Sequence, residues 1–121
     1  TRVATDHREA LITMGRDPHV IKATRVDAMY GLVAVMEQAM QAAPKLDVPT
    51  LVLIGEKDEI LPIEAIETIA HKIPAKQRHI RRYADGYHLL LRDHQRNDVV
   101  SDIVAFIDDL AGHDRGCQKR P

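Results

Sequence analysis

Apolar residues recur at three- and four-residue spacing from Val26 through Met29, Tyr30, Val33 and Met36 to Met40, which is the period of an amphipathic helix. That helix is expected to end before Pro44, because proline cannot continue it and disfavours helical geometry at the preceding residue. After Val48-Pro49 the spacing collapses into the wholly apolar run Thr50-Leu51-Val52-Leu53-Ile54, stopped at Gly55. A short run of this kind suits a strand covered on both faces, as in a parallel sheet. Pro62 sits where a first-turn proline belongs, and Ile63, Ile66, Ile69, Ala70 and Ile73 form an apolar stripe behind it. Residues 62–73 are therefore predicted as a helix closed by Pro74. Arg78-His79-Ile80-Arg81-Arg82-Tyr83 reads as a second strand, charged in the manner of a sheet edge. Val99, Val100, Ile103, Val104, Phe106, Ile107 and Leu110 mark a last amphipathic helix, with Gly112 as its natural stop. The first twenty-five residues are mixed and polar, carry a turn-like Gly15-Arg16-Asp17-Pro18, and give no assignable element. The predicted order is helix, strand, helix, strand, helix, an α/β arrangement built on one right-handed crossover.

Composition narrows the picture only modestly. A length of 121 residues is one small domain or a piece of a larger one. The chain is 45 % hydrophobic and 29 % charged, which is ordinary for a globular protein. A formal net charge of −1 supplies no pull toward nucleic acid or anionic membranes, so no nucleic-acid partner is expected. No apolar run reaches the length of about eighteen residues that reads as a transmembrane segment. The single cysteine, Cys117, cannot form an internal disulfide, which fits a reducing, cytoplasmic compartment.

Two segments lie where an α/β sheet places its chemistry, at the carboxyl ends of strands. Gly55-Glu56-Lys57-Asp58-Glu59-Ile60-Leu61-Pro62 follows the apolar strand, and Asp85-Gly86-Tyr87-His88-Leu89-Leu90-Leu91 follows the charged one. A crossover makes the two strands parallel, so both loops emerge at one end and Asp58 can approach His88. A carboxylate that accepts the imidazole Nδ1–H fixes the tautomer and stabilises the imidazolium formed in proton transfer. Taken singly, Asp58 suits a turn and His88 an ordinary loop; together, in this context, the catalytic pair is favoured. Glu56 and Glu59 compete for the acid role on residue type alone. The methionines Met29, Met36 and Met40 suit a packed helix face better than an acyl-chain tunnel. Arg78, Arg81 and Arg82 suit a solvated edge strand better than a head-group site. His7, His19, His71, His79, His94 and His113 show no metal-ligand spacing, so no metal and no cofactor is expected.

The strand Thr50–Ile54, the Gly55-x-x-Asp58 turn after it, and a Gly86-x-His88 turn about thirty residues further on resemble the C-terminal half of α/β-hydrolases, whose triad runs Ser, then Asp or Glu, then His along the chain. The acid loop Gly55–Pro62 and the leucine-rich, acidic stretch Leu89–Asp93 look most like the monoacylglycerol lipase and lysophospholipase branch. The resemblance covers about residues 44–110; more weakly, the N-terminal third resembles that branch's cap and its connection to the core. It implies that Asp58 is the triad acid and His88 the general base, and only the family spacing ranks Asp58 above its acidic neighbours. It also implies a carboxylic ester or lipid substrate, although dehalogenases and amide-cleaving relatives share the scaffold.

One departure is large. No Gly-x-Ser-x-Gly occurs, the only serine is Ser101 in the last helix, and the family's oxyanion-hole loop is absent. The chain is accordingly expected to be the C-terminal portion of a longer hydrolase, inactive alone. The expected division is residues 1–43 as a cap remnant with a connecting helix, 44–112 as the C-terminal part of the core, and 113–121 as a polar tail. Two strands make a marginal sheet, so the open edge at Thr50–Ile54 is expected to be covered by the missing N-terminal part or by self-association. The alternative is a non-catalytic interaction module that keeps the scaffold.

Overall fold

A computed structural model describes the backbone of residues 2–117 and the side chains of residues 2–112. Its elements are α1 (Arg8–Arg16), α2 (Val26–Ala42), β1 (Thr50–Gly55), α3 (Ile63–Lys72), β2 (Arg78–Tyr83) and α4 (Arg96–Cys117), with single 3₁₀ turns at Ala43–Lys45 and Leu90–Arg92. The strands pair in parallel, in a register running from Thr50 opposite Arg78 to Gly55 opposite Tyr83. This is the partial α/β fold that the hydrophobic pattern predicts.

Side chains alternate across a strand, and their partners identify the two faces. Arg78 and Arg82 point toward α3: the Arg78 guanidinium donates to the carbonyls of Ala70, His71 and Ile73 at its carboxyl end, and Arg82 pairs with Glu67. His79, Arg81 and Tyr83 point toward α4, where His79 meets Phe106 edge to face at 5.2 Å. The Tyr83 hydroxyl donates to Asp102 at 2.7 Å. The helices α3 and α4 thus cover opposite faces of the strand pair. Arg81 and Arg82 are exposed, as expected of a solvated edge strand, whereas Arg78 is half-buried and satisfies helix-end carbonyls that would otherwise lack donors. The fully or nearly buried apolar residues Ala43, Ile54, Ala70, Ile73, Tyr83 and Val99 come from every layer of this sandwich.

Several expectations change. The N-terminal region contains α1, a nine-residue helix too short for its apolar positions to stand out along the chain; its start is set locally, with His7 Nδ1 accepting from the Ala10 amide at 3.0 Å. Gly15 and Arg16 belong to its last turn, and only Asp17, before Pro18, leaves the helix. Pro62 caps α3 rather than joining it. Gly112 does not stop α4, which continues to Cys117. A glycine stop requires left-handed backbone, and none of the described glycines has a positive φ. The region expected as a polar tail therefore begins inside a helix; residues 118–121 lie outside the described residues. The methionine stripe is not core either. Met29 and Met36 remain 48 % and 47 % exposed, and α2 meets α3 along a shallow apolar groove. That groove, of about 540 Å³, is walled by Val33, Met36, Met40, Leu61, Ile66 and Ile69.

Candidate active site

The ends of β1 and β2 are drawn together by backbone contacts. Glu56 N–H donates to Tyr83 O at 2.9 Å and Lys57 N–H to Gly86 O at 2.8 Å. Gly55 lies directly beneath the second loop, where a Cβ would fall 2.5 Å from Tyr87 O and 2.6 Å from Gly86 O. Only glycine permits so close an approach, and that approach brings the two candidate residues into reach.

His88 Nδ1 and Asp58 Oδ2 are 2.9 Å apart. The Asp58 side chain is only 5 % exposed, whereas that of His88 is 33 % exposed. Burial alone would push the Asp58 carboxyl up. The Leu61 amide, His88 and the Ile60 amide outweigh it and hold the carboxyl below its ordinary value. Both amides donate to Oδ1, at 3.0 and 2.7 Å, leaving Oδ2 for the imidazole. An ionised carboxylate only accepts hydrogen bonds, so His88 must carry its proton on Nδ1, which leaves the Nε2 lone pair for proton transfer in the neutral ring.

The acidic neighbours separate cleanly. Glu56 is exposed, and Glu59 Oε2 accepts from the Val3 amide at 2.7 Å; Asp58 is the one that meets His88. Across the loop tops Lys57 pairs with Asp85, an exposed contact of the kind that contributes little. The histidine loop has a buried support that the pattern of apolar positions did not reveal. Asp93, 0 % exposed, accepts from the Tyr87 amide at 2.8 Å, immediately before His88. Its signal in the sequence was the acidic end of Leu89–Asp93. Thr5 and Ala4, which also touch this loop, left no signal at all. Ser101 lies on an exposed position of α4. No group of three His, Cys, Asp or Glu residues that could hold a metal occurs among the described residues, and none of their helices is long and apolar enough to cross a membrane.

Parallel strands that deliver an acid and a histidine to one end of a sheet are the hallmark of the α/β-hydrolase class. The family model for Serine aminopeptidase, S33, matches residues 1–95, and the chain belongs to this family of α/β-hydrolases. A curated relative, a monoacylglycerol lipase of Mycolicibacterium smegmatis (strain ATCC 700084 / mc(2)155), is 24 % identical over 105 residues, covering 78 % of this chain and 38 % of the relative. The chain thus resembles the monoacylglycerol lipase branch of the family while spanning well under half of that relative's length.

Proposed function

We propose that the full-length gene product is a serine hydrolase of carboxylic esters, with monoacylglycerols or lysophospholipids as its substrate class. The 2.9 Å bond between His88 Nδ1 and the ionised Asp58 carries this reading. The nucleophilic serine comes from outside these 121 residues. His88 Nε2 takes the serine proton as Oγ attacks the ester carbonyl carbon, and Asp58 stabilises the resulting imidazolium. Collapse of the tetrahedral intermediate breaks the bond to the alcohol, which leaves with the proton from His88. Water then attacks the acyl-serine in the same way: His88 accepts the water's proton, the fatty acid departs, and serine regains its proton. An apolar acyl chain suits the groove between α2 and α3, because Leu61 both lines that groove and donates its amide to Asp58. The free edge of β1 is covered by the upstream part of the same protein or, in this chain alone, by a second copy.

The test is hydrolysis of a monoacylglycerol, a lysophospholipid and an aminoacyl amide by the full-length protein. His88→Ala is expected to abolish turnover, and Asp58→Asn to lower kcat by about four orders of magnitude, as in serine proteases that lose the triad acid. Near-normal ester hydrolysis by the His88 variant would overturn the assignment. Faster cleavage of the amide would move the substrate class toward peptides. An inactive full-length protein without an upstream serine elbow would favour a non-catalytic module on the same scaffold.

A further inference from the structure

The short segment ahead of α1 is tied to both loops that carry the pair. Val3 N–H donates to Glu59 Oε2 at 2.7 Å, one residue past Asp58. Ala4 O accepts from Leu89 N–H at 2.8 Å, one residue past His88. Thr5 Oγ1–H donates to Arg92 O at 3.2 Å, while the same oxygen accepts from His7 N–H. Asp6 Oδ1 accepts from His94 N–H at 2.9 Å. Four consecutive residues therefore touch the acid loop once and the stretch from Leu89 to His94 three times. Thr5 and Asp93 are the two fully buried polar side chains among the described residues; Thr5 bonds this stretch at Arg92, and Asp93, which belongs to the stretch, accepts from the Tyr87 amide on the other side of His88.

We propose that residues 3–6 form a clasp and that Thr5 is a positioning residue, holding the His88 loop against the acid loop so that Nδ1 and Oδ2 stay within hydrogen-bonding distance. The proposal deepens the reading of Asp58 and His88 as a catalytic pair and rests on it. Backbone groups are pinned on both sides of His88, at Tyr87 by Asp93 and at Leu89 by Ala4. Thr5 anchors the clasp between these ties, because a buried hydroxyl must keep its partners. Valine at this position has the same shape and no donor, leaving the Arg92 carbonyl and the His7 amide without a partner.

The experiment follows the His88 Nδ1–H signal in full-length protein carrying ¹⁵N-labelled histidine, the signal being identified by its loss in His88→Ala. Its exchange with solvent reports opening of the bond to Asp58. Thr5→Val is expected to speed that exchange about fivefold, the effect of losing the one ordinary hydrogen bond that ties Thr5 to the stretch after His88, and to lower kcat by a similar factor while KM stays put. Thr5→Ser, which restores the hydroxyl, is expected to return both to parent values. Tyr83→Phe loses a hydrogen bond elsewhere in the fold and is expected to lower Tm without changing the exchange. Parent-like exchange in Thr5→Val, or equal acceleration in Tyr83→Phe, would overturn the clasp. Should Thr5→Val not fold, Glu59→Ala removes the acceptor of the Val3 N–H from an exposed position; faster exchange there supports the clasp and parent-like exchange overturns it. Asp58→Asn separates the two readings. If it leaves the exchange unchanged, the pair itself fails and the clasp with it; if it accelerates exchange while the clasp variants do not, only the clasp fails.

Discussion

Replacing Gly55 with alanine tests directly how the candidate site is held together. The added Cβ would meet Tyr87 O at 2.5 Å, Gly86 O at 2.6 Å and Gly86 C at 2.7 Å. All three are backbone atoms, so no side chain can rotate to make room. Carbon–oxygen contacts settle at about 3.3 Å or more, which requires the histidine loop to retreat by about 0.8 Å. That retreat works against the bonds from Glu56 N to Tyr83 O and from Lys57 N to Gly86 O. Overpacking costs about 1–3 kcal/mol and a lost hydrogen bond about 1 kcal/mol, so Gly55→Ala is expected to destabilise by about 3 kcal/mol. With a urea dependence of about 1.5 kcal/mol per molar, the unfolding midpoint falls by roughly 2 M. The same displacement would stretch a 2.9 Å Asp58–His88 contact to about 3.7 Å, past hydrogen-bonding range, so the hydrolysis proposed for the full-length protein is expected to be lost at urea concentrations where the variant is still folded. Gly112→Ala is the control. Nothing lies within 4 Å of a Cβ there, and alanine in an exposed helix is expected to stabilise by about 0.5–1 kcal/mol. A Gly55→Ala loss below about 1 kcal/mol, or full retention of the pair, would refute the close-approach account.

Other consequences can be checked alongside. Tyr83→Phe removes the hydrogen bond to Asp102 and is expected to cost about 1.5 kcal/mol in denaturant unfolding, the lower end for a charged acceptor because Asp102 is partly exposed. Burial, and after it the Asp102 carboxylate, holds the Tyr83 phenol above its ordinary value of 10.0. A raised phenol stabilises the fold fully below about pH 10, and that contribution fades as pH climbs toward the folded value; the parent should therefore lose stability faster than Tyr83→Phe in alkaline unfolding series. Asp58 has the opposite sign: its carboxyl is held below 3.8, so its contribution is present above that pH and disappears as acid protonates it. The acid limb of stability against pH should flatten in Asp58→Asn, and an unchanged limb would count against the amide and imidazole contacts described here. Light scattering of the 13.6 kDa chain alone is expected to give a dimer or larger species through the free β1 edge, and a stable monomer would argue against edge pairing.

Much of the architecture follows from short-range patterns. The apolar run Thr50–Ile54 and the charged run Arg78–Tyr83 became the two strands. Pro44 and Pro74 marked the ends of α2 and α3, and the parallel pairing followed from the crossover. Because parallel strands deliver their following loops to one end, the meeting of Asp58 with His88 was legible from loop position and the family resemblance together. What the sequence left hidden depended on contacts between distant segments or on partners at a helix end. The first helix, α1, is only nine residues long, too few for periodicity to single it out, and Gly112 could have been a stop or an exposed helical residue according to its backbone angles. The choice among Glu56, Asp58 and Glu59 was made in space, where two amides and one imidazole converge on a single carboxylate. The methionines of α2 form a helical stripe whether or not another surface covers them, and periodicity cannot say which. Thr5 and Asp93 acquire their importance only because tertiary folding buries them against the backbone around His88. Local chemistry determined the elements and the candidate pair; the close approach over Gly55 and the ties from residues 3–6 were decided by the tertiary structure, because they join atoms up to 88 residues apart.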